Sequence, residues 1–134
     1  MNILLDTHIL IWALGEDEKL SDKARNLILN PDNMIYYSAA SIWEISIKHA
    51  LHPDQIPFSG KELAEFCLEA GYEPLDISER HVFALETLKR SVGAKPHQDP
   101  FDRIMIAQAK ADNMLFLSHD ALLSDYNEGC VISV

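Results

Sequence analysis

Four carboxylates, Asp6, Glu44, Asp102 and Asp120, are spread along the chain, and each stands close to a short apolar run or a helix start. Asp6 ends Asn2-Ile3-Leu4-Leu5, and Glu44 follows Met34-Ile35-Tyr36-Tyr37 within a turn or two. Asp102 shares a helix start with Asp99, and Asp120 closes the stretch from Met114-Leu115-Phe116-Leu117 through Ser118 and His119. Two like charges ~4 Å apart repel by ~4 kcal/mol at an effective dielectric near ~20, so a meeting of such groups is costly when empty. The cost is relieved by raising a carboxyl pKa or by holding a cation, and an all-oxygen donor set suits Mg²⁺ or Mn²⁺. Water on such an ion is a better nucleophile, and the ion also neutralises a phosphodiester in its transition state. The chemistry on offer is metal-assisted phosphodiester hydrolysis.

That chemistry requires elements that bring distant residues together. The run at 2–5 ends at an acid and is followed by helical continuity over 7–14 with a stop at Gly15, which predicts a buried strand feeding a helix. Ser21-Asp22-Lys23 opens a second helix with Ala24, Leu27 and Ile28 on one face, and Asn30-Pro31-Asp32-Asn33 ends it. A strand over 34–37 then leads into a helix over 42–49. A helix over 61–70 follows, with Leu63, Phe66, Cys67 and Ala70 inward and Gly71 as its stop. Tyr72-Glu73-Pro74-Leu75 is at most an edge strand because of its proline. Ser78 begins a helix to about Arg90, with Val82, Phe83, Leu85 and Leu88 as its apolar members. Asp99-Pro100-Phe101-Asp102 is a strong helix start, with a capping acid and proline at the first helical position, before 104–111. Strands over 114–117 and 131–134 complete the pattern. Such alternation predicts an α/β fold, a three-layer α/β/α sandwich around a mainly parallel sheet. Its site would lie at the carboxyl edge of the strands, where the four acids would then meet.

Composition sets the outer limits. The chain has 134 residues with 11 Lys and Arg against 21 Asp and Glu, a net charge of −10, and 48% hydrophobic residues, which fits one compact domain over 1–134 with a real core. Ile9 to Leu14, its longest apolar run, is far below the ~20 residues that span a bilayer, and no signal-peptide pattern precedes it, so a soluble cytoplasmic protein is expected. Cys67 and Cys130 lie in no metal-like spacing and are expected to be small core residues. The acid excess speaks against a passive nucleic-acid sheath but not against an enzyme whose bound cation supplies positive charge.

Together, Leu4-Leu5-Asp6-Thr7-His8, Ser38-Ala39-Ala40-Ser41-Ile42-Trp43-Glu44-Ile45, His97-Gln98-Asp99-Pro100-Phe101-Asp102-Arg103 and Leu117-Ser118-His119-Asp120 resemble the PIN-domain ribonucleases. They are most similar to the VapC-like toxins of type II toxin–antitoxin systems. The resemblance implies a three-layer fold, Mg²⁺- or Mn²⁺-dependent endonucleolytic cleavage of RNA, inhibition by a small antitoxin, and a homodimer. Asp6, Glu44, Asp102 and Asp120 match the family's four acids, with Asp6 and Asp102 the first candidates for metal contact. Asp99, one helical turn before Asp102, could face the same pocket, and Thr7 and Ser118 could orient carboxylates. Ser118-His119-Asp120 departs from the more usual Thr and leaves an imidazole beside the fourth acid, to which no catalytic role is assigned.

Each residue also has a plainer use. Asp6, Asp99 and Asp120 could simply cap helices, the last a helix over 121–126, and Glu44 could pair with Lys48 across one helical turn. Arg103 could meet a phosphate or a neighbouring acid. Lys89, Arg90, Lys95, His97 and Arg103 form the one basic-leaning region, where RNA is expected to lie. His8, His97 and Thr7 could touch RNA, although a packed or solvated role suits His8 better. Trp12 and Trp43 are expected to be core or partner-facing rather than base-stacking. Two other functions compete: a non-catalytic interaction module that binds an antitoxin or partner protein, and phosphoryl transfer through an aspartyl phosphate at Asp6. A degenerate module should have lost some of the acids, which are all present. Phosphoryl transfer needs a second acid two residues on, where His8 stands.

Overall fold

The computed structural model describes residues 1–90, 92–93, 99–120, 123 and 126–134. Among them, five strands, β1 (Asn2–Leu5), β2 (Met34–Ser38), β3 (Glu73–Leu75), β4 (Leu115–Ser118) and β5 (Val131–Ser133), form one sheet in the order β3-β2-β1-β4-β5. Every pairing is parallel. The helices are α1 (Thr7–Gly15), α2 (Asp22–Leu29), α3 (Ala39–Leu51), α4 (Gly60–Glu69), α5 (Glu79–Leu85) and α6 (Pro100–Ala111).

β1 lies at the centre of the sheet and is buried on both faces, which is why Ile3, Leu4 and Leu5 form an unbroken apolar run rather than an alternating one. Its side chains still alternate between two cores. Ile3 and Leu5 pack with Ile9, Leu10, Ala24, Leu63 and Leu117 on one face, beneath α1, α2 and α4. Leu4 packs with Met105, Ile106 and Phe116 on the other, where α6 contributes most of the cover. Three layers result, as the pattern of alternating elements predicts.

Helix starts obey local capping chemistry. Asp6 accepts from the Ile9 amide at 2.8 Å, Ser21 from Ala24 at 3.1 Å, and Ser59 and Glu62 make a reciprocal capping box at 3.1 Å each way. Asp99 caps α6 by accepting from Phe101 and Asp102, and Pro100 takes the first helical position. The Ser38 hydroxyl caps α3 directly at the end of β2, accepting from Ala40 at 3.0 Å. Consequently α3 starts at Ala39, three residues earlier than the sequence pattern predicts.

α5 departs further from expectation, ending at Leu85 rather than near Arg90. Its last turn tightens into i to i+3 bonds, and the chain beyond is drawn into tertiary pairing. Asn127 donates to the Lys89 carbonyl at 2.7 Å, and Arg90 bridges Tyr126. Val82 and Phe83 are exposed, whereas His81 is buried. Burial of the imidazole is satisfied by the Ser78 amide at 3.0 Å and the Asp112 carboxylate at 2.9 Å. Phe66 and Ala70 of the expected inward face of α4 are exposed as well, while Leu63 and Cys67 are buried. Cys130 is half-buried. The expected helix over 121–126 and the Lys95 and His97 segment fall largely outside the described residues. No helix among the described residues is long and apolar enough to cross a membrane.

Candidate functional site

The sheet order places β4 beside β1, although β2 and β3 intervene in sequence. The chain therefore switches direction between these two strands, and in open parallel sheets the crevice beyond the carboxyl ends at such a switch is where ligands bind. Asp6 follows β1 and the Ser118-His119-Asp120 segment closes β4, so both flank that crevice. A cleft of about 120 Å³ lies there, and Asp6, Glu44, Asp99, Asp102 and Asp120 all line it, together with Thr7, His8 and Lys48. The four acids and Asp99 are thus brought together, as the assumed strand arrangement requires.

Asp6 is held from both sides. One carboxylate oxygen accepts from the Ile9 amide as the α1 cap, and the other accepts from the Ser118 hydroxyl at 2.6 Å. Capping and site membership are therefore simultaneous. The same Ser118 oxygen accepts from the Asp120 amide at 3.1 Å, which ties the fourth acid to the first. Burial raises the Asp6 carboxyl above the usual carboxylate range, against the opposing pull of the Ser118 and Ile9 bonds and of His8.

Glu44 is buried at 7% exposure and is oriented by two partners. Thr7 donates to one of its oxygens at 2.7 Å, and Lys48 donates to the other at 2.7 Å. The ion pair across one helical turn exists, but inside the cleft wall rather than on a solvated helix face. Ser41, three residues before Glu44 on α3, shares a hydroxyl bond of 2.9 Å with Thr7. Neither Ser41 nor Lys48 was singled out as a site residue from sequence, although their spacing of three and four residues from Glu44 puts them on its helix face.

Asp102 carries the electrostatic consequence of this gathering. Its carboxyl is pushed up to about 7, first by burial and then by the charges of Asp99, Asp6, Glu44 and Asp120. Among the described residues, no three acids, histidines or cysteines already stand in metal-holding geometry. The donors themselves are hard oxygens, which fit Mg²⁺ or Mn²⁺ and not a soft metal.

Among the described residues, Arg103 donates to the Tyr126 hydroxyl at 3.0 Å rather than to an acid. The Arg90 guanidinium stacks 4.7 Å from the centre of the same ring. Two members of the expected basic region are therefore engaged by one tyrosine, and Lys95 and His97 lie outside the described residues.

Removing the Ser118 hydroxyl should loosen both Asp6 and Asp120 without emptying the cleft of charge. Ser118→Ala is expected to weaken divalent-ion binding by roughly 10- to 100-fold, as measured by calorimetric titration, and Ser118→Thr to retain most of it.

The PIN domain family model matches residues 3–129, and the chain belongs to that family. Its fold is that of solved structures at low sequence identity. VapBC2 from Rickettsia felis, solved bound to a DNA fragment from its promoter, aligns with a TM-score of 0.67 at 16% identity, covering 99% of this chain and 98% of the other. DNA-bound VapBC from Salmonella typhimurium aligns at 0.65 and 13% identity, again over 99% and 98%. FitAcB from Neisseria gonorrhoeae aligns at 0.54 and 19% identity, over 88% and 87%. No curated protein matches the chain by sequence.

Proposed function

We propose that residues 1–134 form one nuclease domain, a Mg²⁺- or Mn²⁺-dependent endoribonuclease acting in the cytoplasm as the toxin of a type II toxin–antitoxin pair. The observation that carries this reading is the convergence of Asp6, Glu44, Asp99, Asp102 and Asp120 on one cleft at the sheet's switch point, with the Asp102 carboxyl pushed up by burial and by the other four acids. An acid cluster under that strain gains most from a hard divalent ion. Asp6 and Asp102 would hold it, with Asp99 at the rim. When bound, it supplies Lewis acidity toward the phosphodiester and acidifies a water molecule.

The chain's own residues do the positioning. Ser118 fixes the Asp6 carboxylate, and Thr7 and Lys48 fix that of Glu44. Glu44 and Asp120 orient the attacking water on the side of phosphorus opposite the leaving oxygen. The new P–O bond would form from that water as the bond to the leaving oxygen breaks; the water gives up one proton to solvent and the leaving oxygen takes one from solvent, so the step balances.

A cognate antitoxin is the proposed partner. The sequence resemblance to VapC-like toxins and the likeness of fold to VapBC structures support it. Trp43, Ile47 and Leu51, exposed at four-residue spacing on α3, offer an amphipathic segment an apolar stripe to lie against. An antitoxin arginine entering the acid cleft would account for inhibition. Homodimerisation rests on the family resemblance. Purified protein should cleave structured RNA with Mg²⁺ or Mn²⁺, lose cleavage in EDTA, and regain it when the metal is restored. Equal cleavage with and without EDTA would remove the metal-dependent reading, and no cleavage with either metal would leave the non-catalytic partner-binding module.

A further inference from the structure

Beside the acid cleft stands an aromatic group that the proposed mechanism does not use. Trp12, half-buried against the core under α1, has an imidazole on each of two sides. The His8 ring stacks with it at 6.1 Å between centroids and 26° between planes, and His119 meets it edge-on at 5.4 Å and 67°. Both imidazoles are exposed, and His8 also lines the cleft. Their backbones are tied to the proposed chemistry, because His8 follows Thr7 on α1 and His119 lies between Ser118 and Asp120. The indole is the anchored member of the group, and the two imidazoles are the members that face solvent.

We propose that His8 and His119, held by Trp12, form a stacking site for a nucleobase of single-stranded RNA flanking the bond to be cleaved. The proposal rests on the ribonuclease reading and adds to it where the substrate's base goes. A cleft crowded with acids attracts a phosphodiester only through a bound cation, so the chain needs a handle that does not depend on charge. Base stacking on aromatic rings is such a handle, since every base has a π face and single-stranded RNA offers its bases unpaired. The arrangement would also help a chain with net charge −10 retain RNA. This gives His8 the RNA contact that its sequence context makes the less favoured reading and keeps Trp12 packed on the core, because only the fold brings His119, next after β4, against α1.

The test separates stacking from charge and from cleavage. Two single-stranded RNA probes of equal length and charge, an oligoadenylate and its fully abasic counterpart, are titrated against Asp102→Asn protein, which on the proposed reading neither cleaves nor holds the cation, with binding read by fluorescence anisotropy. The oligoadenylate is expected to bind roughly 10-fold more tightly than the abasic probe. That preference should disappear in His8→Ala and His119→Ala variants and persist in His8→Phe and His119→Phe, which keep a ring but no imidazole nitrogen. Equal binding of the two probes by the parent overturns the proposal, as does a preference undiminished by either alanine substitution. Phenylalanine variants as defective as the alanine ones also overturn it. Cleavage of structured RNA by the protein with Asp102 intact is scored separately, so a failure of the ribonuclease reading is distinguishable from a failure of stacking.

Discussion

Replacing Asp102 by asparagine is expected to lower RNA cleavage by about 1,000-fold or more while making the metal-free protein more resistant to heat. The two effects have opposite signs because one carboxylate serves both states. On the proposed reading Asp102 would help hold a cation whose charge stabilisation in the transition state is worth several kcal/mol, and each ~1.4 kcal/mol is tenfold in rate. Without one, it is an acid half-shielded from water and surrounded by Asp99, Asp6, Glu44 and Asp120. The pH dependence follows in sign. The folded carboxyl, at about 7, holds its proton more tightly than the ordinary value of 3.8, so the folded state binds more protons between those limits. Metal-free stability therefore falls as pH rises from 3.8 toward 7 and levels off above. Thermal melts in EDTA across that range should show the decline in the wild type and a flatter profile in Asp102→Asn. Melts that decline equally in both would place the strain elsewhere. An asparagine that destabilises at neutral pH would contradict the electrostatic account of the cleft.

Phe116→Ala is expected to cost about 3–5 kcal/mol of folding stability, by denaturant titration. Phe116 is fully buried in β4 and packs in the core with Leu4, Met105, Ile106 and Leu123. Parallel strands on both sides and α6 above leave little room for the lining to collapse into the space vacated. Such a loss is a large fraction of a typical domain's 5–15 kcal/mol. It should also reach the site, because β4 carries Ser118, whose hydroxyl joins Asp6 to the Asp120 backbone. Residual cleavage should therefore fall with the folded fraction, and a loss below ~1 kcal/mol would indicate a far looser core than the geometry implies.

What could be read in the sequence was chiefly local. Strands buried on both faces announce themselves as apolar runs such as Ile3-Leu4-Leu5, and caps such as Ser21 and Asp99 act within three residues of themselves. The gathering of Asp6, Glu44, Asp99, Asp102 and Asp120 was legible once a parallel sheet was assumed, because its strand ends share one edge. What escaped was set by distant partners. The end of α5 depends on the bridge between Arg90 and Tyr126, and the burial of His81 depends on Asp112, thirty-one residues away. Arg103 turned toward Tyr126 rather than an acid for the same reason. Trp12 met His119 only through the pairing of β1 with β4, so no spacing in the chain foretold that contact.

The most direct test of the acid cleft is calorimetric titration of Mn²⁺ into metal-free wild-type protein, Asp6→Asn and Asp102→Asn at a pH above 7, with Mg²⁺ as competitor. One saturable binding process in the wild type, displaced by Mg²⁺ and abolished by either substitution, is the predicted result. Binding of equal strength in all three proteins, or none in the wild type, would contradict the claim that these carboxylates gather to hold a divalent ion.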